Sequence, residues 1–292
     1  MRTTSGPRAP GPALPLGSRA RPGAARQVSS AMLDEAASVD GRARSHGTTG
    51  ASVVAARAGR VVAVVGAGRL AAVAVDALTA SGTGTLLFDD PREVRPGDVG
   101  VGGLREHHVG RRWDDALRDV VLLSRRGTTI GDPAVDSPDV VVLVVEDGAG
   151  VLRTARLVAE GVAHLVVTVT GWGAVVGPFV LPGETACARC VELQVRGPED
   201  LAGAVRSGTG QGDATVADGV ARAGRLPQSS AVAATAGSLV AAEVVAYLDG
   251  RRPATAGASI EVETLDAMPR LRGWSVHPGC GCTEMGVLAP GC

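Results

Sequence analysis

The sequence predicts a doubly wound α/β fold built around a parallel sheet, and two observations predict it. Short runs that are almost entirely apolar recur through the middle of the chain, as in strands buried on both faces of a sheet. Stretches with helical texture separate these runs, so that strand and helix alternate. The four predicted strands are Val61–Val65, Thr85–Phe88, Val140–Val145 and His164–Val169.

The first predicted strand leads into a glycine-rich turn. Gly66-Ala-Gly68-Arg-Leu-Ala71 matches the pattern G-x-G-x-x-G/A, and an alanine-rich helix follows it to Ala80. Two glycines at this place let a phosphate approach the backbone N–H groups at the start of the helix. The other interpretation is a strand-to-helix turn that needs glycine only for packing.

Two acidic residues follow the second predicted strand. Asp89 and Asp90 lie about 20 residues beyond the glycine turn, where a carboxylate that binds a ribose hydroxyl belongs. The combination of strand, turn, helix and acid favours a nucleotide-binding architecture over the packing interpretation.

The last third of the chain has a different texture. A C-x-x-C motif opens a short helix, and the long apolar segment Ser229–Leu248 predicts a helix. Ser259–Glu263 alternates between apolar and polar residues like a half-exposed strand. We expect one folded domain over residues 59–282, a disordered or poorly structured tail over residues 1–58 and a short tail over residues 283–292.

Composition and charge exclude several classes of function. The 292 residues carry a net charge of -1 and include no lysine, and only 2% of them are aromatic. Near-neutral charge and so few aromatic rings argue against nucleic acid or an anionic membrane as a partner. Mechanisms that need a lysine are excluded. No uncharged apolar run reaches the length of a membrane span, so we expect a cytoplasmic protein without a membrane segment.

Four cysteines form two close pairs that lie far apart in the chain. Cys187-x-x-Cys190 and Cys280-x-Cys282 suit a closed, tetrahedral zinc site, which is structural because no ligand position stays open. The alternative is two unrelated pairs, one of them a redox C-x-x-C motif. That motif follows a Pro-Gly turn late in the chain rather than an early strand, so zinc is favoured.

Taken together, the early glycine turn, the acid pair and the late cysteine pairs resemble the ThiF/MoeB/E1-like superfamily, whose members adenylate a C-terminal carboxylate with ATP and magnesium. Residues 95–104, 177–190 and 277–282 are similar to the E1-like partner proteins of azole-forming, bacteriocin-type peptide cyclodehydratases. The resemblance implies a Rossmann-like fold tied by zinc and a homodimer. It also implies a peptide or ubiquitin-like carrier as substrate, and a cyclodehydratase as partner enzyme.

Several residues depart from the pattern of this family. When Asp89-Asp90 are aligned, Asp98 stands where the family has an asparagine on the ATP phosphates, and Val101 stands where it has an arginine. Trp113 falls at the position of the family's lysine. The resemblance leaves Arg111 and Arg112 as candidate catalytic cations and Asp147 as the candidate magnesium ligand. We expect the double substitution Val101→Arg and Trp113→Lys to raise ATP affinity.

Three functions follow from these residues. The first is a catalytically degenerate E1-like protein that docks a peptide for a modifying enzyme. The second is an active ATP-dependent adenylyltransferase that uses the two arginines and Asp147. The third is a Rossmann oxidoreductase, which the glycine turn alone would permit. The missing lysine and arginine favour the first, because nucleotidyl transfer depends on neutralising charge at the phosphates.

Overall fold

A computed structural model of the chain describes residues 30–124, 127–146, 150–195 and 226–283. These residues form eight strands and seven α-helices. The strands are β1 Val61–Val65, β2 Thr85–Phe88, β3 Thr129–Ile130, β4 Val140–Glu146, β5 His164–Thr170, β6 Gly173–Val180, β7 Ala258–Glu263 and β8 Pro269–Gly273. The helices are α1 Leu33–Ser45, α2 Gly50–Arg57, α3 Arg69–Ala80, α4 Trp113–Ser124, α5 Gly150–Ala159, α6 at residues 188–195 and α7 Ser230–Leu248.

All eight strands belong to one sheet, in the order β3-β2-β1-β4-β5-β6-β7-β8. The first five in this order pair in parallel, and β6, β7 and β8 continue the sheet in antiparallel fashion. The chain leaves β1 for β2 on one side, and β4 lies on the other side of β1. Ligands of such sheets bind at the carboxyl ends of the strands where the order reverses, which here is between β1 and β4.

Helices cover both faces of the sheet, which agrees with the predicted mixed α/β fold. On one face, α3, α4 and α7 pack against strand residues such as Val62, Val142 and Leu165. On the other face, Leu157 of α5 and Ala188 of α6 contact the alternate strand residues. The alternation follows from the strand geometry, because successive side chains point to opposite faces.

The helix α7 is long and apolar enough to cross a membrane by length and composition. In the structure it packs against α3 and β6 instead, and most of its side chains are buried in the core. Gly237 lets the two helices approach closely, because a Cβ atom there would lie 2.6 Å from the Cβ of Val73. The helix is thus part of the domain core.

The structure differs from the sequence analysis at the N-terminal end. Residues 33–57, which fall within the predicted tail, form α1 and α2, and these helices pack against each other. The buried guanidinium of Arg57 binds Glu35 of α1 and Asp249 at the end of α7. Sequence patterns do not reveal a partner that lies 192 residues away. Residues 1–29 lie outside the described part of the chain.

Candidate functional site

The glycine turn lies where the strand order reverses, and the structure explains both of its glycines. Gly66 and Gly68 have φ values of +117° and +115°, which side-chain-bearing residues rarely adopt. A Cβ atom at Gly66 would also lie only 2.3 Å from the carbonyl oxygen of Val144 in β4. Ala71 is fully buried in the first turn of α3 and permits close packing of that helix on the sheet.

The first turn of α3 has a hydrogen-bond partner that the sequence does not reveal. The side-chain oxygen Oε1 of Gln228 accepts a hydrogen bond of 2.8 Å from the backbone N–H of Leu70. A Cβ atom at Gly68 would lie 2.5 Å from Nε2 of the same carboxamide. The carboxamide therefore rests on the glycine turn, and its oxygen takes the acceptor position that a phosphate oxygen takes at a helix N-terminus.

The two acids at the end of β2 differ in their surroundings. Asp89 is exposed, whereas Asp90 is buried and its carboxylate binds Arg92 through hydrogen bonds of 2.6 to 3.1 Å. The hydrogen bonds that Arg92 donates to Asp90 raise the pKa of Arg92, and the charges of Glu146 and Asp98 add to the effect. Arg92 is thus held among carboxylates at the carboxyl edge of the sheet.

The residues at the positions aligned with the family's phosphate contacts have structural roles in this fold. Asp98 is buried, and its carboxylate accepts a hydrogen bond of 2.8 Å from the backbone N–H of Arg95. Val101 packs against the hydrophobic core, and Trp113 is only 1% exposed within it. A lysine at position 113 would enter the core, so the expected gain in ATP affinity from Trp113→Lys is not supported by this geometry.

The candidate catalytic arginines have acidic partners of their own. Arg111 binds Asp119 at 2.5 Å, and Arg112 binds Asp114 at 3.2 Å. The Arg111 guanidinium lowers the pKa of the Asp119 carboxyl below its usual value. Both acids belong to α4, so each arginine is paired with the helix that follows it. The candidate magnesium ligand Asp147 lies outside the described residues.

A cleft lies beside the glycine turn, between α3, α7 and the turns that follow β5 and β7. Its lining includes Leu70 and Gln228 and the hydroxyl-bearing residues Thr170, Ser229 and Thr264. Thr170 is 9% exposed, and its hydroxyl oxygen has no hydrogen-bond partner among the described residues. Trp172, in the turn between β5 and β6, is 48% exposed.

The four paired cysteines converge at the other candidate site. The sulfur atoms of Cys187, Cys190, Cys280 and Cys282 all lie within 4.8 Å of one another. Three of the separations are 3.8 Å (Cys187–Cys190), 3.5 Å (Cys187–Cys280) and 3.5 Å (Cys190–Cys282). Tetrahedral ligation with zinc–sulfur bonds of about 2.3 Å places sulfur atoms roughly 3.8 Å apart, so this cluster could hold such a metal ion.

The chemistry around the sulfur atoms also fits a cation. The backbone N–H of His277 donates to Sγ of Cys190 at 3.3 Å. Although burial opposes it, this bond and those from neighbouring cysteines lower the pKa of Cys190. Burial and the nearby thiols raise the pKa of Cys282 to about 12 and also raise that of Cys280. A dication would remove this penalty, because thiolates are its ligands.

The second cysteine pair lies in a bend of the backbone. Gly281 has a φ of +71°, and residues 278–280 form a turn. The two sulfur atoms therefore reach the cluster through a bend, which the flanking glycine permits.

Sequence reasoning missed two residues, one beside the acid pair and one at the glycine turn. Arg92 lies only two positions after Asp90, and this spacing could have predicted an ion pair between them. Gln228 gives no such signal, because 158 residues separate it from Leu70.

Comparisons with known proteins identify the fold. No protein-family model and no curated protein sequence matches the chain. The structure of MccB from E. coli with ATP aligns with a TM-score of 0.66 at 15% identity, covering 88% of this chain and 75% of that one. The microcin C7 biosynthetic enzyme MccB with N-formylated MccA gives 0.64 at 16% identity, covering 83% and 72%. The structure of PaaA gives 0.62 at 16% identity and covers 84% of each chain.

These likenesses show the fold. MccB is a ThiF/E1-like enzyme, so the chain has the ThiF/E1-like fold, and the resemblance that its motifs carry is confirmed at that level. One of the matched proteins, MccB, has been solved both with ATP and with N-formylated MccA.

Proposed function

We propose that this chain is a ThiF/E1-like protein with a degenerate ATP site and that it docks a peptide in the biosynthesis of a ribosomal, azole- or bacteriocin-type peptide. The observation that carries the proposal is the ion pair between Asp90 and Arg92. The carboxylate that would bind the ribose is paired within the chain, and the charges of Glu146 and Asp98 act on its partner Arg92. In addition, Val101 and Trp113 pack against or within the core at the positions where the resemblance expects cations, and removing one donor that stabilises a transition state costs about 3 kcal/mol.

A peptide is the proposed partner because the fold is shared with a protein that was solved with a peptide bound. In our proposal a cyclodehydratase is the partner enzyme, and the chain acts as a cytoplasmic homodimer. These parts rest on the resemblance of residues 95–104, 177–190 and 277–282 to E1-like partner proteins.

We propose zinc as the structural metal. Cys187, Cys190, Cys280 and Cys282 would hold it, and the ion would neutralise the thiolates. The site would join the start of α6, which carries Cys187 and Cys190, to the segment after β8, which carries Cys280 and Cys282. Zinc in such a closed set stabilises the fold and takes no part in chemistry.

The second candidate is an active adenylyltransferase. It is favoured by the exposed carboxylate of Asp89, which lies at the carboxyl edge of the sheet and does not belong to the Asp90–Arg92 ion pair. In that case Arg111, Arg112 and Asp147 would neutralise phosphates and hold magnesium, after the two arginines leave Asp119 and Asp114.

Pyrophosphate exchange with ATP, magnesium and a precursor peptide, whose C-terminal carboxylate would be adenylated, distinguishes the two candidates. We expect no exchange, and we expect the same peptide, fluorescently labelled, to bind without ATP in an anisotropy titration. Robust exchange that is abolished by Arg112→Ala would establish the adenylyltransferase. Absence of peptide binding at tens of micromolar protein would remove the docking role.

A further inference from the structure

Gln228 is held against the glycine turn by two hydrogen bonds. Its side-chain oxygen accepts one from the N–H of Leu70, and its backbone carbonyl accepts the other from Nη1 of Arg69 at 3.0 Å. The same Nη1 also donates to the hydroxyl of Ser230 at 3.1 Å. The segment between residue 226 and the start of α7 is therefore fixed to the first turn of α3.

The place that the carboxamide takes is suited to an oxyanion. The first N–H groups of a helix have no partner within it, and the helix dipole favours negative charge there. Arg69 adds a positive charge at the first position of α3, where a cation is unfavourable unless an acceptor or an anion compensates it. A neutral carboxamide satisfies the hydrogen bond without supplying that charge.

A second observation in the same cleft points to a polar ligand. The hydroxyl of Thr170 is buried without a partner in the described part of the chain, and Thr170 lines the cleft together with Leu70 and Gln228. Buried polar groups are normally hydrogen-bonded. Leu70, whose N–H Gln228 occupies, and Thr170, whose hydroxyl has no described partner, thus line the same cleft.

We propose that Gln228 decides whether this glycine turn accepts an oxyanion, because its carboxamide stands in the position of a phosphate oxygen. The inference rests on the proposed degenerate ATP site and names one cause of it. Gln228 is a specificity-determining residue that excludes phosphate, and a phosphate ligand must displace it to reach Leu70.

Two substitutions at this one position test the proposal. Gln228→Ala removes the carboxamide and opens the turn, whereas Gln228→Glu keeps its shape and adds negative charge. Calorimetric titration with inorganic pyrophosphate, and separately with ATP and magnesium, is done on the full chain without peptide. We expect Gln228→Ala to bind pyrophosphate about tenfold more tightly than the wild type, since one hydrogen bond to a charged group is regained. Gln228→Glu should bind no more tightly than the wild type.

The backbone amide of Leu70 gives a second readout. In a nitrogen–proton correlation spectrum, pyrophosphate should shift the Leu70 resonance of Gln228→Ala and leave that of the wild type in place. If Gln228→Ala does not fold, Gln228→Ser serves in its place. Equal pyrophosphate affinity in the wild type and the opened variant overturns the role of Gln228. Tight ATP binding with exchange by the wild type overturns the degenerate site instead, so the two failures are distinguishable.

Discussion

Arg57 and Asp249 form a buried, two-pronged ion pair that ties the N-terminal helices to the core. Nε and Nη2 of the guanidinium donate to the two carboxylate oxygens at 3.0 and 2.9 Å. The Arg57 side chain is fully buried and that of Asp249 is 4% exposed. Burial opposes the charge of Arg57, but Asp249 and Glu35 outweigh it and raise the pKa of the guanidinium.

Removing Arg57 should therefore destabilise the whole domain. We expect Arg57→Ala to lower the free energy of unfolding by about 3 kcal/mol, because the buried Asp249 loses its two-pronged partner and keeps only a 3.4 Å contact with the more exposed Arg251. Arg44→Ala is the matched control: its side chain is 73% exposed and pairs with Asp40, and such surface pairs contribute about 0 to 1 kcal/mol. Chemical denaturation measures both, and equal losses in the two variants would contradict the prediction.

Metal content tests the cysteine cluster. We expect about one equivalent of zinc per chain by atomic emission, and we expect Cys187→Ser to lose the zinc and to melt at a lower temperature. Metal binding is coupled to folding, so chelation should have the same effect on the wild type. Cys292→Ser is the control, because Cys292 is not one of the four clustered cysteines. A wild-type protein that is free of zinc and melts like Cys187→Ser would contradict the assignment of a zinc site.

Acid should destabilise the fold in part through His164. The imidazole is fully buried, its Nδ1 lies 2.8 Å from the carbonyl oxygen of Val162, and burial lowers its pKa below the ordinary value of 6.5. The unfolded chain then takes up the proton first as the pH falls, so stability is lost as the pH drops through about 6.5.

The measurement is the melting temperature between pH 7.5 and pH 5.5. His164→Gln should show a smaller loss over this range than the wild type, while His46→Gln, a substitution at an exposed histidine, should follow the wild type. Parallel pH profiles for all three proteins would show that His164 does not carry the effect.

Trp113 should behave as a core residue and not as a ligand-binding one. We expect Trp113→Lys to lower the melting temperature sharply or to prevent folding, since loss of a buried tryptophan costs about 3 to 5 kcal/mol and an unpaired buried charge adds to it. Arg112→Lys changes the neighbouring exposed position and should leave the melting temperature nearly unchanged. A folded Trp113→Lys variant with higher ATP affinity would restore the expectation drawn from the family pattern.

The sequence by itself determined the elements whose signal is local. The predicted strands Val61–Val65 and Thr85–Phe88 have the bounds found in the structure, and the other two predicted strands differ by one residue at their ends. Such strands can be recognised in the sequence because most residues in a strand buried on both faces are apolar, whereas the two-residue parallel strand β3 is too short to give this signal. The glycine turn was also predicted from a local signal, because backbone positions with positive φ values favour glycine.

The structure alone decided the elements that depend on distant partners. The strands β6 and β8 have weak patterns of their own, with glycine and proline within them, and they form because β5 and β7 offer hydrogen-bonding edges. The four cysteines were grouped by their spacing, but only the tertiary structure brings the two pairs together, with the second pair entering through the turn beside Gly281.

The same division holds at the glycine turn. The sequence supplied the glycines and the acids after β2, which are the residue types that a phosphate and a ribose require. Whether the N–H of Leu70 is available was decided by a tertiary contact, because Gln228 reaches it from the segment just before α7. A side chain that satisfies a binding group from across the molecule leaves no periodicity or spacing in the sequence, because only the packing of α3 against α7 sets the distance between them.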